Sequence, residues 1–195
     1  RLLLDAEGVA VNQVDNSGRT ALICAARNGH EACLRLLLDF EGISVNQVDL
    51  LHGHSPLICA AQNGHEACLG LLLDAEGVAV NLVDNKGCSA LIHAACKGHE
   101  GCLHLLLYVE GISINLVDNI GWTPLIHAAR QGHVDCVRLL LNTGIVAVDH
   151  VDGKGHSALS HAMGNHHAAC VRLLLDAEPT SSVSRRPNTR RRIAR

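Results

Sequence analysis

Aromatic side chains are nearly missing from this sequence. Phe40, Tyr108 and Trp122 are the only Phe, Tyr and Trp among 195 residues. Leu, Ala, Val and Ile must therefore fill any core, as expected of thin stacked layers. Long apolar runs are missing too: none approaches the roughly 20 residues of a membrane-crossing helix. No membrane span is expected, and Leu2-Leu3-Leu4 falls far short of the apolar stretch of a secretory signal. There is no Gly-rich phosphate loop. His-Glu-Ala-Cys occurs at 30–33 and 65–68, but the second ligand cluster of a zinc-dependent protease or deaminase is lacking. An initiator Met is absent as well. Residues 1–10 read as the end of a structural unit whose first part, with any units before it, is expected to belong to a longer parent protein.

Beyond Glu178 there is no acidic residue. Thr180-Ser181-Ser182-Val183-Ser184 has the composition of a linker, and Arg185, Arg186, Arg190, Arg191, Arg192 and Arg195 follow. The whole chain carries 16 Lys+Arg against 19 Asp+Glu, a net charge of −3, so with six arginines in the tail the remainder stands near −9. Residues 180–195 hold too little apolar material to fold and are predicted to be a disordered tail. The plain reading of the tail is a solvated or artefactual extension. The sharper one is a contact for nucleic acid or an import receptor through Arg185, Arg186, Arg190, Arg191 and Arg192, and a contact with the acidic remainder is a third.

What is present is one stretch repeated. Asp118-Asn119-Ile120-Gly121-Trp122-Thr123-Pro124-Leu125-Ile126-His127-Ala128-Ala129-Arg130-Gln131-Gly132-His133 has sister copies at 15–30, 49–65, 84–99 and 152–167. Cys33, Cys68, Cys102, Cys136 and Cys170 mark one point in each copy, at steps of 35, 34, 34 and 34 residues. Such a period means stacked supersecondary units. Asp-x-x-Gly predicts a tight turn. Thr20, Ser55, Ser89, Thr123 and Ser157 stand where a helix N-cap belongs, and Pro56 and Pro124 follow at the first helical position. Gly29, Gly64, Gly98 and Gly132 are placed to end that helix in a left-handed cap; His166 takes this place in the last copy, at a cost on the order of 1 kcal/mol. A second helix carries the stripe Cys33, Leu34, Leu37 and Leu38. Val45-Asn46-Gln47-Val48 then alternates like a short extended arm. The second copy has one extra residue in its turn, Asp49-Leu50-Leu51-His52-Gly53-His54, expected to enlarge a loop.

This pattern resembles the ankyrin repeat, whose signature runs Asp-x-x-Gly-x-Thr-Pro-Leu-His-x-Ala-Ala-x-x-Gly-His before a Leu-rich second helix. Ile23, Ile58, Ile92, Ile126 and Ser160 replace the family's first His. The resemblance implies an all-α solenoid of stacked helix-turn-helix units with short β-hairpin-like arms. The expected units are a partial repeat at 1–10, then repeats at 11–44, 45–79, 80–113, 114–147 and 148–179. The tetratricopeptide alternative needs Trp, Leu, Gly and Tyr positions that are absent.

Nine cysteines and 14 histidines invite a metal or redox reading. A column with one residue per layer does not support it. Packed helices lie 8–10 Å apart, too far for a disulfide's Cα separation of about 7 Å or for ligands 2.0–2.3 Å from one zinc. The cysteine column is therefore expected to be buried small hydrophobes, kept reduced inside a cell. Cys24, Cys59, His93, His127 and His161 form a second column, read as partly buried beside the arms or as part of a ligand groove. His30, His65, His99 and His133 read as loop-fixing. No cofactor, metal or catalytic residue is assigned. In the family that this chain resembles, partners are gripped at the arm tips and at the end of the first helix. The residues carried over to those places are Arg19, Arg27, His54, Gln62, Lys86, Cys88, Lys97, Ile120, Trp122, Arg130, Lys154 and His156. The expected function is a monomeric intracellular scaffold, cytoplasmic and by its tail nuclear, that binds another protein and catalyses nothing. The alternative is the targeting region of a larger kinase or ubiquitin ligase.

Overall fold

The computed structural model describes residues 10–177. The residues before and after that range include most of the partial first unit and the whole arginine tail, so both of those expectations lie outside the described residues. Within the range the chain is five helix pairs. The first helices are α1 (Ala21–Asn28), α3 (Pro56–Asn63), α5 (Ala90–Lys97), α7 (Pro124–Gln131) and α9 (Ala158–Gly164). Their partners are α2 (Glu31–Leu38), α4 (Glu66–Leu73), α6 (Glu100–Leu107), α8 (Val134–Asn142) and α10 (Ala168–Ala177). First helices pack on first helices and second helices on second helices along the stack. The result is an all-α solenoid. No helix of the described residues is long and apolar enough to cross a membrane.

Local chemistry sets the boundaries of the first helices. The hydroxyls of Thr20, Ser55, Ser89, Thr123 and Ser157 each accept the backbone N–H three residues on, which satisfies one orphan donor of the first helix. The helix then ends where Gly29, Gly64, Gly98 or Gly132 turns left-handed. In the last copy His166 adopts that conformation, with φ of 61°.

The core is a single file of thin layers. Leu22, Leu57, Leu91 and Leu125 are fully or almost fully buried on the first helices, and Leu34, Leu69, Leu103 and Val137 on the second. The isoleucines at 23, 58, 92 and 126 are buried as well, so the hydrogen-bonding His of the repeat signature is exchanged here for core volume. Each buried leucine contributes roughly 1.5–3 kcal/mol, and most of that burial needs the layer above or below.

Two expectations are corrected. Cys33 is exposed, whereas Cys68, Cys102, Cys136 and Cys170 are buried. Cys68, Cys102 and Cys136 face the second helix of the preceding layer, whose Glu31, Glu66 or Glu100 lies close enough to act on their thiols. Among the described residues Cys33 has no such layer before it. The run Val45–Val48 is not extended: Gln47 N–H bonds back to Ser44 C=O in a turn. Its Asn46 is the cause, because its side chain binds backbone in the next layer, donating to Gly77 C=O at 2.8 Å and accepting from Ala79 N–H at 2.9 Å. Each arm closes through a backbone bond from its aspartate, as from Asp84 N–H to Cys88 C=O at 3.0 Å, and isolated bridges join Val83 with Ser89 and Val151 with Ser157. The longer turn of the second copy does make a larger loop, with Leu50 and Leu51 exposed at its tip.

Candidate functional site

Each arm begins with an aspartate that works on two sides. One oxygen of Asp84 accepts the N–H groups of Lys86 and Cys88 at 2.8 and 2.9 Å and so holds the turn. Asp118 does the same for Ile120 and Trp122, and Asp152 for Lys154 and His156. The other oxygen faces the first helices. There it meets His93 on Asp84 (2.8 Å), His127 on Asp118 (2.9 Å) and His161 on Asp152 (3.0 Å). In the second copy the partner is Arg27 of the layer before, 2.9 Å from Asp49. The second column is thus tied to the arm aspartates.

These contacts set the charges. Burial favours a neutral Asp84, but the N–H of Cys88 and the ring of His93 outweigh it and hold the carboxyl below the usual carboxylate range. For His93 and His127 burial wins over the aspartate and lowers the imidazole pKa. His54 is lowered by burial and then by His93. The N–H of His156, above all, keeps Asp152 ionised.

A groove runs beside this row. One hollow of about 440 Å³ is lined by Gln62, Lys86, Cys88, Lys97, Ile120 and His127 among others. Another of about 600 Å³ follows, lined by Ile120, Trp122, Arg130, Lys154 and His156. Ile120 belongs to both, and His93, Gln62 and Lys86 join the first to a smaller hollow of about 290 Å³ around His52 and His54. Ten of the twelve residues expected to face a partner line these hollows. The other two are used internally: Arg19 pairs with Asp15 at 2.8 Å and Arg27 with Asp49. His54 and Cys88 line the groove wall but are buried, at 7% and 8% exposure. Trp122 is half-buried. Its Nε1–H donates to Asp152 of the next layer at 3.0 Å, its ring lies edge-on to His127 and His161, and the Arg130 guanidinium sits 4.9 Å from its centroid. The exposed chemistry of the groove is therefore Lys86, Lys97, Ile120, Lys154 and His156.

Cys88, Asp118 and His127 come within ligand distance of one another and mimic a nucleophilic set. The chemistry is wrong for one. Burial and then the charges of Asp84 and Asp118 push the Cys88 thiol up to about 12, so the attacking thiolate is missing at neutral pH.

Two rows of inter-layer bonds escape a reading of the sequence alone. His65, His99, His133 and His167 each bring Nε2 to a carbonyl at the end of the preceding first helix, Arg27, Gln62, Cys96 and Arg130, at 3.0–3.2 Å. At the other end of the helices, Asn12, Asn46, Asn81 and Asn115 each bridge to backbone in the next layer. Their recurrence at steps of 34, 35 and 34 residues was the available signal.

A family model described as ankyrin repeats (3 copies) matches residues 1–49, 42–118 and 100–185. No curated protein matches the chain.

Proposed function

Since the chain belongs to the ankyrin-repeat family, whose members generally serve as protein–protein interaction modules, we propose that it binds a partner protein along the groove between the arm tips and the first helices. The observation that carries this reading is the continuity of that groove over four successive layers, with Ile120 shared by its two largest hollows. Its rim offers Lys86, Lys97 and Lys154, all exposed. The acidic groups behind them, Asp84, Asp118 and Asp152, are already held by histidines of the chain. A partner segment carrying acidic residues around an apolar one fits this lining: the apolar residue against Ile120 and the Trp122–Arg130 face, the acids against the lysines. Rigid layers present these groups in place, so little order has to be created on docking. The reading assigns the chain no reaction of its own.

The test is capture from reducing cell extract by the whole chain, beside Lys86→Glu/Lys97→Glu and the Arg138→Glu control on α8. A partner held by the parent and the control, and released by the double variant, is expected. Equal capture by all three moves the site off the groove.

A further inference from the structure

Outside that docking role, we propose that His54, Asp84 and His93 form a binding site for a divalent first-row transition ion, zinc by its preferred ligand set. A single column of residues does not gather ligands, but two columns in adjacent layers do. His54 comes from the arm before α3, while Asp84 and His93 belong to the arm and first helix of the next layer. One donor atom from each lies within 4.8 Å of the other two, and all three residues are on the buried side of the small hollow around His52.

The distances suit a tetrahedral ion. With bonds of about 2.0–2.1 Å, two ligands of one zinc stand roughly 3.3 Å apart. His54 Nε2 is 3.4 Å from Asp84 Oδ2, and His93 Nε2 is 2.8 Å from the same oxygen. For an ion to enter, the hydrogen bond between His93 Nε2 and Asp84 Oδ2 opens by about 0.5 Å.

The second observation is the state of His54. Its side chain is nine-tenths buried, and its Nε2, which faces Asp84 Oδ2 at 3.4 Å, makes no hydrogen bond. A cation between the three groups takes up the lone pair of that nitrogen. The carboxylate is already aimed, because its other oxygen is fixed by the N–H groups of Lys86 and Cys88, the kind of outer support that orients a metal ligand. The sister clusters lack these marks. Asp152 Oδ2 is held by Trp122 as well as by His161, and the Asp118 cluster has a thiol in place of a second imidazole.

The whole chain, reduced and stripped of metal, is titrated with Zn²⁺ by calorimetry and with Co²⁺ by absorption. One equivalent is expected, with the visible bands of four-coordinate cobalt and no thiolate-to-metal charge transfer. His54→Gln is expected to weaken zinc binding by at least the 10–100-fold that loss of a mere outer-shell partner costs. Position 54 corresponds to Arg19, Cys88, Trp122 and His156 in the other copies, so the fold tolerates exchange there; circular dichroism checks it, and His93→Gln is the second variant. X-ray absorption at the zinc edge of the parent counts ligands without any substitution, two imidazoles and no sulfur being expected. No binding by the parent, equal binding by folded His54→Gln, or sulfur in the shell overturns the proposal.

Discussion

Gly98 and Gly111 form a matched pair that separates backbone strain from packing. Both are left-handed, with φ of 75° and 79°. A Cβ on Gly111 meets nothing within 4 Å. A Cβ on Gly98 lies 2.5 Å from Nδ1 and 2.7 Å from Cε1 of His133. That ring cannot simply swing away, since its Nε2 is held 3.1 Å from Cys96 C=O. Alanine at either site carries the left-handed cost of about 1–2 kcal/mol, partly offset by about 0.4–1 kcal/mol from a stiffer unfolded chain. At Gly98 the displaced ring adds a lost hydrogen bond of about 1 kcal/mol and crowding of about 1–3 kcal/mol. Gly111→Ala is thus expected to cost about 1 kcal/mol and Gly98→Ala about 3–5 kcal/mol. Urea unfolding followed by circular dichroism measures both. In a His133→Ala background the excess at Gly98 is expected to vanish, because the obstructing ring is gone. Equal costs for the two glycines, or an excess that survives without His133, would refute the reasoning.

Asn81→Ala removes bonds to Gly111 C=O and Ser113 N–H, both 2.8 Å and open to solvent. A loss of about 1–2 kcal/mol is expected, with faster hydrogen exchange at the Ser113 amide; unchanged protection there would count against the asparagine row. Acid acts in two stages. His54, His93 and His127 have lowered pKa values in the folded chain, so the unfolded chain takes up protons first, and stability that is complete above a pH of about 6.5 falls as pH drops through that value. Asp49, Asp84 and Asp152 are lowered too, and their contribution is lost in turn as pH falls below about 4. A urea midpoint that rises between pH 7 and pH 5 contradicts this sign. Alkylation at pH 8, resolved by mass spectrometry, is expected to label exposed Cys33 first and to spare Cys102 and Cys136, whose thiols burial pushes up to about 12 and about 11; uniform labelling would show that the layers open freely.

The fold was legible because its signals are local. Thr123 caps a helix whose N–H lies three residues away, and the glycine that ends the helix needs only its own φ. The leucine stripes carry a helical period within eight residues. The groove was less legible, because its floor is made across layers. Trp122 reads as a partner contact on its turn; its Nε1–H goes to Asp152, thirty residues on. Asn46 passed for one letter of an extended arm because its bonds reach Gly77 and Ala79. The histidine at the inter-helix corner was read correctly as fixing a loop, but the loop belongs to the preceding layer, 37 or 38 residues back. Each column alone gathers no cluster of ligand atoms, whereas His54, Asp84 and His93 draw on two.

The aspartate row also joins each layer to the next by a different chemistry. Seen as a strip sewn along three lines, the solenoid has its histidine and asparagine seams intact at every joint between described layers. The third seam is uneven. Arg27 closes it onto Asp49, His54 sits beside Asp84, and Trp122 closes it onto Asp152. Between the α5 and α7 layers the corresponding stitch is the thiol of Cys88 facing Asp118, a weak donor that bears little load. Asn119 makes good the difference at this joint: its backbone N–H donates to Lys86 C=O at 2.9 Å and its side-chain amide to Asn85 C=O at 3.1 Å, beneath the hollow that Ile120 and Lys97 border.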